Sequence, residues 1–144
     1  MNHKNIRGVL INSKYVEKIS RVDAIYSKYL SAYVNLRIFT LIKGKKRENI
    51  DEVLKVVGLN FFKKIKVYKY SSEMKKKMSI ATGLLLDKKP IELLEPTGGL
   101  DIQGKIEIKN LINEISFQNN KEFIIYSTDM DELKFICTNI VENN

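Results

Sequence analysis

Residues 91–101 read Ile91-Glu92-Leu93-Leu94-Glu95-Pro96-Thr97-Gly98-Gly99-Leu100-Asp101. The first four are mostly apolar and predict a short strand, with Pro90 breaking whatever helix precedes it. Pro96 to Asp101 is rich in turn formers and predicts a loop. Beyond it Ile108, Leu111, Ile112 and Ile115 recur at helical spacing. Phe123-Ile124-Ile125-Tyr126 is an unbroken apolar run, as expected of a strand covered on both sides. A short helix over 131–136 and a last strand over 139–141 complete the pattern. Strands alternating with helices imply a parallel sheet in an α/β fold.

Upstream, Val9-Leu10-Ile11 reads as a short buried strand, and Tyr15 to Tyr29 shows no clear period. Leu30, Tyr33, Val34, Ile38, Leu41 and Ile42 share one helical face, which Gly44 can close. A second helix places Ile50, Val53, Leu54 and Val57 at i, i+3, i+4 and i+7, with Gly58 as its stop. Leu59 to Tyr70 reads as a basic connection. Ser71 or Ser72 can cap a third helix whose core face holds Met74, Met78, Ala81 and Leu85. Residues 30–87 thus form a helical block ahead of the strand at 91–94.

The chain has 144 residues, 44% of them hydrophobic, enough for one domain or a large part of one. No stretch approaches the roughly 20 apolar residues that span a bilayer. Met1 to Asn12 holds too short an apolar run for a secretory signal, so a cytosolic chain is expected. Cys137 is the only cysteine, which excludes an internal disulfide and suggests a buried, inert thiol. His3 is the only histidine, so mechanisms needing a histidine base have almost no candidate. The net charge of +8 is uneven. Residues 1–42 hold seven basic and two acidic side chains, 43–89 fourteen and five, and 90–144 four and ten. The basic centre admits two readings: a surface for nucleic acid or anionic lipid, or solvated helix faces. The second is preferred. No stacking aromatics interleave Lys75-Lys76-Lys77, and no nucleic-acid motif accompanies them.

Gly99 to Lys105 fits G-x-x-x-x-G-K, the pattern of a phosphate cradle. Ile106 stands where Ser or Thr would reach Mg²⁺, and Glu95-Pro96 sets an anion and a rigid residue at the entrance, so this reading is rejected. The stretch Glu95 to Asp101 instead resembles the E-P-T-x-G-L-D segment of ABC-transporter ATPase subunits, which joins the Walker B strand to the D-loop. Three further stretches fall in that family's order. Tyr70-Ser71-Ser72-Glu73-Met74 and the helix after it resemble the signature motif. Ser127 to Glu132, after its strand, resembles the switch loop. Leu30 to Leu36 resembles the start of the helical subdomain. Val9 to Ile11 would then be the strand leading to the Q-loop. The bacitracin- or lantibiotic-export type is the nearest match. The translation-factor branch ranks lower, because it carries Asn-His where Gly98-Gly99 stand.

The resemblance implies a partial P-loop NTPase-type domain with a parallel sheet, an inserted helical subdomain and its P-loop segment missing. Its parts are a Q-loop-like strand and variable segment (1–29), a helical subdomain (30–87) and a Walker B, D-loop and switch part (88–144). It also implies ATP and Mg²⁺ as the family's cofactors, and a membrane permease and a second ATPase subunit as partners. The chain would then lie in the cytoplasm, free or peripheral on the inner face of the membrane.

Several residues depart from that pattern. Leu94 stands where an aspartate would hold Mg²⁺, and Glu92 lies too far back to replace it. Glu73 brings a carboxylate to the signature helix, where it would repel a γ-phosphate, although a glutamate in a first turn also favours the helix. Asp129 occupies the switch position and accepts hydrogen bonds where histidine donates. Asn12 stands at the Q-loop position with a shorter amide than glutamine. Glu95 is the one catalytic group kept, or else a plain carboxylate beside a turn. Gly98, Gly99, Leu100 and Asp101 form the D-loop-like turn, stabilised by Asp101. A metal site of the chain's own is not expected.

These residues predict an exporter-type ATP-binding subunit that is truncated or non-hydrolysing and binds no ATP by itself. A basic nucleic-acid module and a half-site completed by a partner subunit are the alternatives. A sheet lacking strands leaves an exposed edge or apolar face. Sedimentation of the chain alone should therefore show concentration-dependent association, whereas a monomer unfolding cooperatively at high temperature would contradict this.

Overall fold

The computed structural model describes residues 6–16, 27–44, 49–86 and 90–142. His3 and most of the unassigned stretch from Tyr15 to Tyr29 lie outside them. Four strands form one sheet: β1 (Ile6–Leu10), β2 (Ile91–Leu94), β3 (Phe123–Ser127) and β4 (Asn139–Glu142). Their order is β2-β3-β1-β4, and every pair is parallel. Gly8 is level with Ile125 on one side and Ile140 on the other, while Leu94 is level with Tyr126. The helices are α1 (Ala32–Ile42), α2 (Ile50–Val56), α3 (Ser72–Leu86), α4 (Ile102–Gln118) and α5 (Met130–Ile136). The chain divides into two units, residues 1–24 with 89–144, and residues 25–88.

In the sheet unit the strands arise where apolar runs end in turn residues, and their shared register brings their carboxyl ends to one rim. β1 begins at Ile6, three residues before the predicted strand, and Ile11 continues it by donating its amide to the Ser127 carbonyl at 2.9 Å. β3 corrects the expectation of cover on both sides. Phe123, Ile125 and Ser127 are buried, but Ile124 and Tyr126 are only half-buried. The reason is that α5 packs on β1 and β3, whereas the Tyr126 face meets Tyr15 at a ring-centroid distance of 6.1 Å. Gly8 is the point of closest approach: a Cβ there would lie 3.0 Å from Cys137 Sγ and 3.1 Å from Leu133 Cδ2. In α4, Ile108, Ile112 and Ile115 are buried on one face.

In the helical unit α1, α2 and α3 pack on one another. Ser31 caps α1 by accepting from the Val34 amide at 3.2 Å, and Gly44 follows it with φ of 66°. Which face of α1 is buried reverses the prediction. Val34, Ile38, Leu41 and Ile42 are exposed, the last two at 66% and 65%, while Ala32, Asn35, Leu36, Phe39 and Thr40 are buried. Asn35 explains the choice. Its side chain accepts from the Ser27 amide and donates to the Ser27 and Ser31 carbonyls within 3.0 Å, so this polar residue is satisfied inside. α2 buries Ile50 and Leu54, its C-cap Val57 is buried too, and Gly58 follows with a φ of 80°. The basic connection holds two 3-10 turns, Asn60–Phe62 and Val67–Lys69. Ser71, rather than Ser72, caps α3 by accepting from the Met74 amide at 3.1 Å.

Two outcomes follow from the β1–α5 contact. Gly8→Val overpacks the Cys137 and Leu133 side chains and should lower stability by about 1–3 kcal/mol, read from urea unfolding. Burial, then the charge of Glu132, pushes the Cys137 thiol up to about 12 from an ordinary 9.0. At neutral pH the folded chain should therefore resist alkylation that the urea-unfolded chain undergoes readily. The raised value also fixes the sign with pH: stability from this group is whole below pH 9 and is lost between about 9 and about 12.

Candidate functional site

The carboxyl rim of a parallel sheet is where α/β folds place ligands, and this rim gathers the residues that the sequence singles out. Glu95 follows β2, Thr128 and Asp129 follow β3, and Asn12 follows β1. The Glu95 amide donates to the Tyr126 carbonyl at 2.8 Å, which carries the β2–β3 pairing one step past the strand. Its φ of 44° is a left-handed conformation that costs a residue with a Cβ energy. The surroundings hold it there. Glu95 Oε1 accepts from the Thr128 hydroxyl at 2.8 Å and from the Thr128 amide at 3.3 Å, and the Glu95 carbonyl accepts from the Gly98 amide at 3.0 Å.

The turn after Glu95 is fixed at two further points. Thr97 is buried, and both its amide, at 2.8 Å, and its hydroxyl donate to the buried Glu132 carboxylate. Asp101 caps α4, its carboxylate accepting from the Gly104 amide at 2.7 Å. Gly98 and Gly99 are exposed, and Gly99 has a φ of 76°. This geometry disposes of the phosphate-cradle reading of residues 99–105: the amide that an anion would use already bonds an aspartate.

Asp129 is exposed and accepts from the Asp131 amide at 2.9 Å, while its own amide donates to Ser127 Oγ at 3.0 Å. Asn12 is exposed too, and its side chain accepts from the Tyr15 amide at 3.0 Å. Leu94 is half-buried at the end of β2. Glu92, two residues back, accepts from the Tyr126 hydroxyl at 3.2 Å. Burial and then Glu92 push that phenol up to about 12. The rim residues named here offer carboxylates, hydroxyls and an amide, and none is a cation. Among the described residues no cluster of three His, Cys, Asp or Glu could hold a metal ion.

The signature-like residues lie in the helical unit. Tyr70 is buried, and its hydroxyl donates to the Phe62 carbonyl at 2.6 Å; burial raises its pKa. Ser71 and Ser72 are exposed, and Glu73 and Met74 are half-buried in the first turn of α3. Sequence reasoning placed Thr128 and Glu132 in the switch-like stretch but gave neither a role, missing Thr128 as the partner of Glu95 and Glu132 as the partner of Thr97. The only signal for Glu132 was its place in an acidic run at a helix start, which reads equally well as a favourable first turn.

No family model matches the chain. An uncharacterized ABC transporter ATP-binding protein, YhcH of Bacillus subtilis (strain 168), is 35% identical over 141 residues, covering 94% of this chain and 46% of that protein. The bacitracin transport ATP-binding protein BcrA of Bacillus licheniformis is 34% identical over 138 residues, covering 95% and 44%. The chain thus spans less than half the length of these two relatives. Among solved structures, cbiO1 from Clostridium perfringens, part of the ABC transporter complex cbiONQ, matches with a TM-score of 0.75 at 21% identity, over 96% of this chain and 72% of that one. That likeness shows the fold, and the sequence matches show descent. The chain therefore belongs with the ATP-binding proteins of ABC transporters, matching a part of their length and sharing the α/β fold of their ATPase cassette.

Proposed function

We propose that this chain is a non-hydrolysing member of an exporter-type ABC system, taking up no Mg-ATP by itself and acting through a membrane permease and an intact ATPase subunit. The observation that carries this reading is Leu94 beside Glu95. Glu95 is held in place by Thr128 at the sheet rim, but the preceding side chain, where Mg²⁺ or its waters would need an oxygen, is a half-buried leucine. The neighbouring groups do not compensate. Asp129 and Glu95 are both carboxylates, and each accepts local donors already. A triphosphate of several negative charges meets acceptors here rather than the donors and cations that phosphoryl-transfer sites present. The residues at this rim therefore do not fit Mg-ATP, and no catalytic step is assigned to them.

A permease contact is supported by α1. Its outward face presents Val34, Ile38, Leu41 and Ile42 to solvent, an apolar stripe of the kind that marks a protein-binding surface. In the family that the chain resembles, the helical subdomain and the Q-loop contact the permease, so residues 30–60, which include α1, would carry any such contact. Among the described residues no helix is long and apolar enough to cross a membrane; the α1 contact would hold the chain peripherally on the inner face.

Titration calorimetry of the purified chain with ATP and Mg²⁺ should give no binding heat, and tight magnesium-dependent uptake would overturn the proposal. Mixing the chain with an intact ATPase subunit should leave phosphate release at the rate of that subunit alone. An increase would instead favour a half-site completed between two subunits.

A further inference from the structure

The connection between α2 and α3 is more than a basic linker. Residues 59–70 hold four lysines and no acidic residue, interleaved with three aromatics besides Tyr70. Phe61 is 93% exposed, and Phe62, Ile65 and Tyr68 are exposed beside it. Lys64, Lys66 and Lys69 are exposed as well. The loop is nevertheless firmly seated. Leu59, Val67 and Tyr70 are buried beneath it. The Phe62 amide donates to the Leu59 carbonyl at 2.9 Å, and the Phe62 carbonyl takes the Tyr70 hydroxyl.

A second segment extends the same surface. The Tyr68 amide donates to the Lys28 carbonyl at 2.9 Å and the Val67 amide to the Leu30 carbonyl at 3.0 Å, while Ser31 bridges Lys66. Lys28 and Tyr29, both exposed, are thereby laid alongside the loop. Lys28 stands over the Tyr29 ring at 5.2 Å, and Lys69 over the Tyr68 ring at 5.9 Å.

From this arrangement we infer that the Phe61–Lys69 loop, with Lys28 and Tyr29, docks directly on an anionic lipid surface. Lysine ammoniums attract phosphate headgroups, while their stems and the aromatic rings suit the boundary between headgroup and acyl chain. Phe61 and Ile65 are wholly apolar groups offered to solvent on a seated backbone, so their insertion costs little further ordering. Single-stranded nucleic acid fits this surface less well. It needs open ring faces for base stacking, yet both tyrosine rings already carry a lysine. Ile65 has no ring to stack on, and residues 59–70 hold no arginine to fork onto a phosphate. The contact goes beyond the proposed permease partnership, because it needs no second protein.

Sedimentation with vesicles tests this on the whole chain. Phosphatidylglycerol–phosphatidylcholine vesicles should bind it in a salt-sensitive way, and phosphatidylcholine vesicles should not. The triple variant Lys64→Glu, Lys66→Glu, Lys69→Glu should lose roughly a hundredfold or more in partitioning. Phe61→Ala, which leaves the charge unchanged, should lose roughly tenfold. Lys14→Glu, Lys105→Glu, Lys134→Glu makes the same change in net charge elsewhere and should stay within about twofold of the parent, since surface attraction falls off within a Debye length. The inference fails if the parent ignores anionic vesicles, if both triple variants lose binding equally, or if Phe61→Ala binds like the parent. Displacement from the vesicles by a single-stranded RNA that binds the same loop more tightly would also overturn it. None of these results depends on ATP, so they leave the nucleotide reading untouched.

Discussion

A buried carboxylate, Glu132, holds the rim together. It sits in the first turn of α5 and accepts both donors of Thr97, thirty-five residues away in the chain. A buried acceptor with two donors is a satisfied group; removing either side strands polar atoms away from water, at a cost of about 1–3 kcal/mol. The link is what allows the turn after β2 to be tight. With Thr97 held from inside and Glu95 held by Thr128, the backbone at Glu95 can rest in a conformation that a free loop would leave. The close approach of Gly8 to Leu133 and Cys137 secures the other side of α5. Position at the rim is thus inherited from α5 as much as from the strand that Glu95 follows.

Much of the architecture was legible because it depends on local rules. Gly44 and Gly58, read as helix stops, take positive φ after α1 and α2, and Ser71, one of the two candidate caps, caps α3. What the sequence concealed depends on partners. The outward stripe of α1 has the stronger apolar period, so periodicity alone assigns it to the core. The opposite face prevails because Asn35 finds several hydrogen bonds inside and Leu36 and Phe39 fill the space between helices. The run at 123–126 looks buried on both sides because every residue is apolar or aromatic, yet Phe123 and Ile125 are buried while Ile124 and Tyr126 are only half-buried. Glu132 was hidden for the converse reason: a carboxylate in a first helical turn explains itself locally, and nothing nearby in sequence points to Thr97.

The candidate site was legible as positions rather than as contacts. The resemblance located Glu95, Asp101, Asp129 and Asn12, and three of these make local bonds of the kind any loop makes. Asp101 caps, Asp129 bonds its neighbour, and Asn12 closes a turn. Their chemistry at this rim is that of acceptors already engaged with backbone amides. Nucleotide sites work by the opposite logic, leaving amides and cations unengaged until phosphate arrives. That contrast, more than the loss of any one residue, supports reading the rim as retained architecture serving a role other than hydrolysis.

The helical unit points the same way from a different side. A helix that turns its better apolar stripe outward gives up burial worth roughly 25 cal/mol per Å² unless something covers it. Lysines standing over exposed tyrosines, beside a nearly bare phenylalanine, are likewise poor economy for a surface that meets only water. Both features make sense if this unit is a contact piece, with the α1 stripe for protein and the basic aromatic loop for lipid. Such contacts need no metal-binding oxygen at position 94 and no hydrogen-bond donor at position 129. Under the proposed non-hydrolysing role, a leucine at position 94 carries no penalty to docking, because neither surface includes that rim.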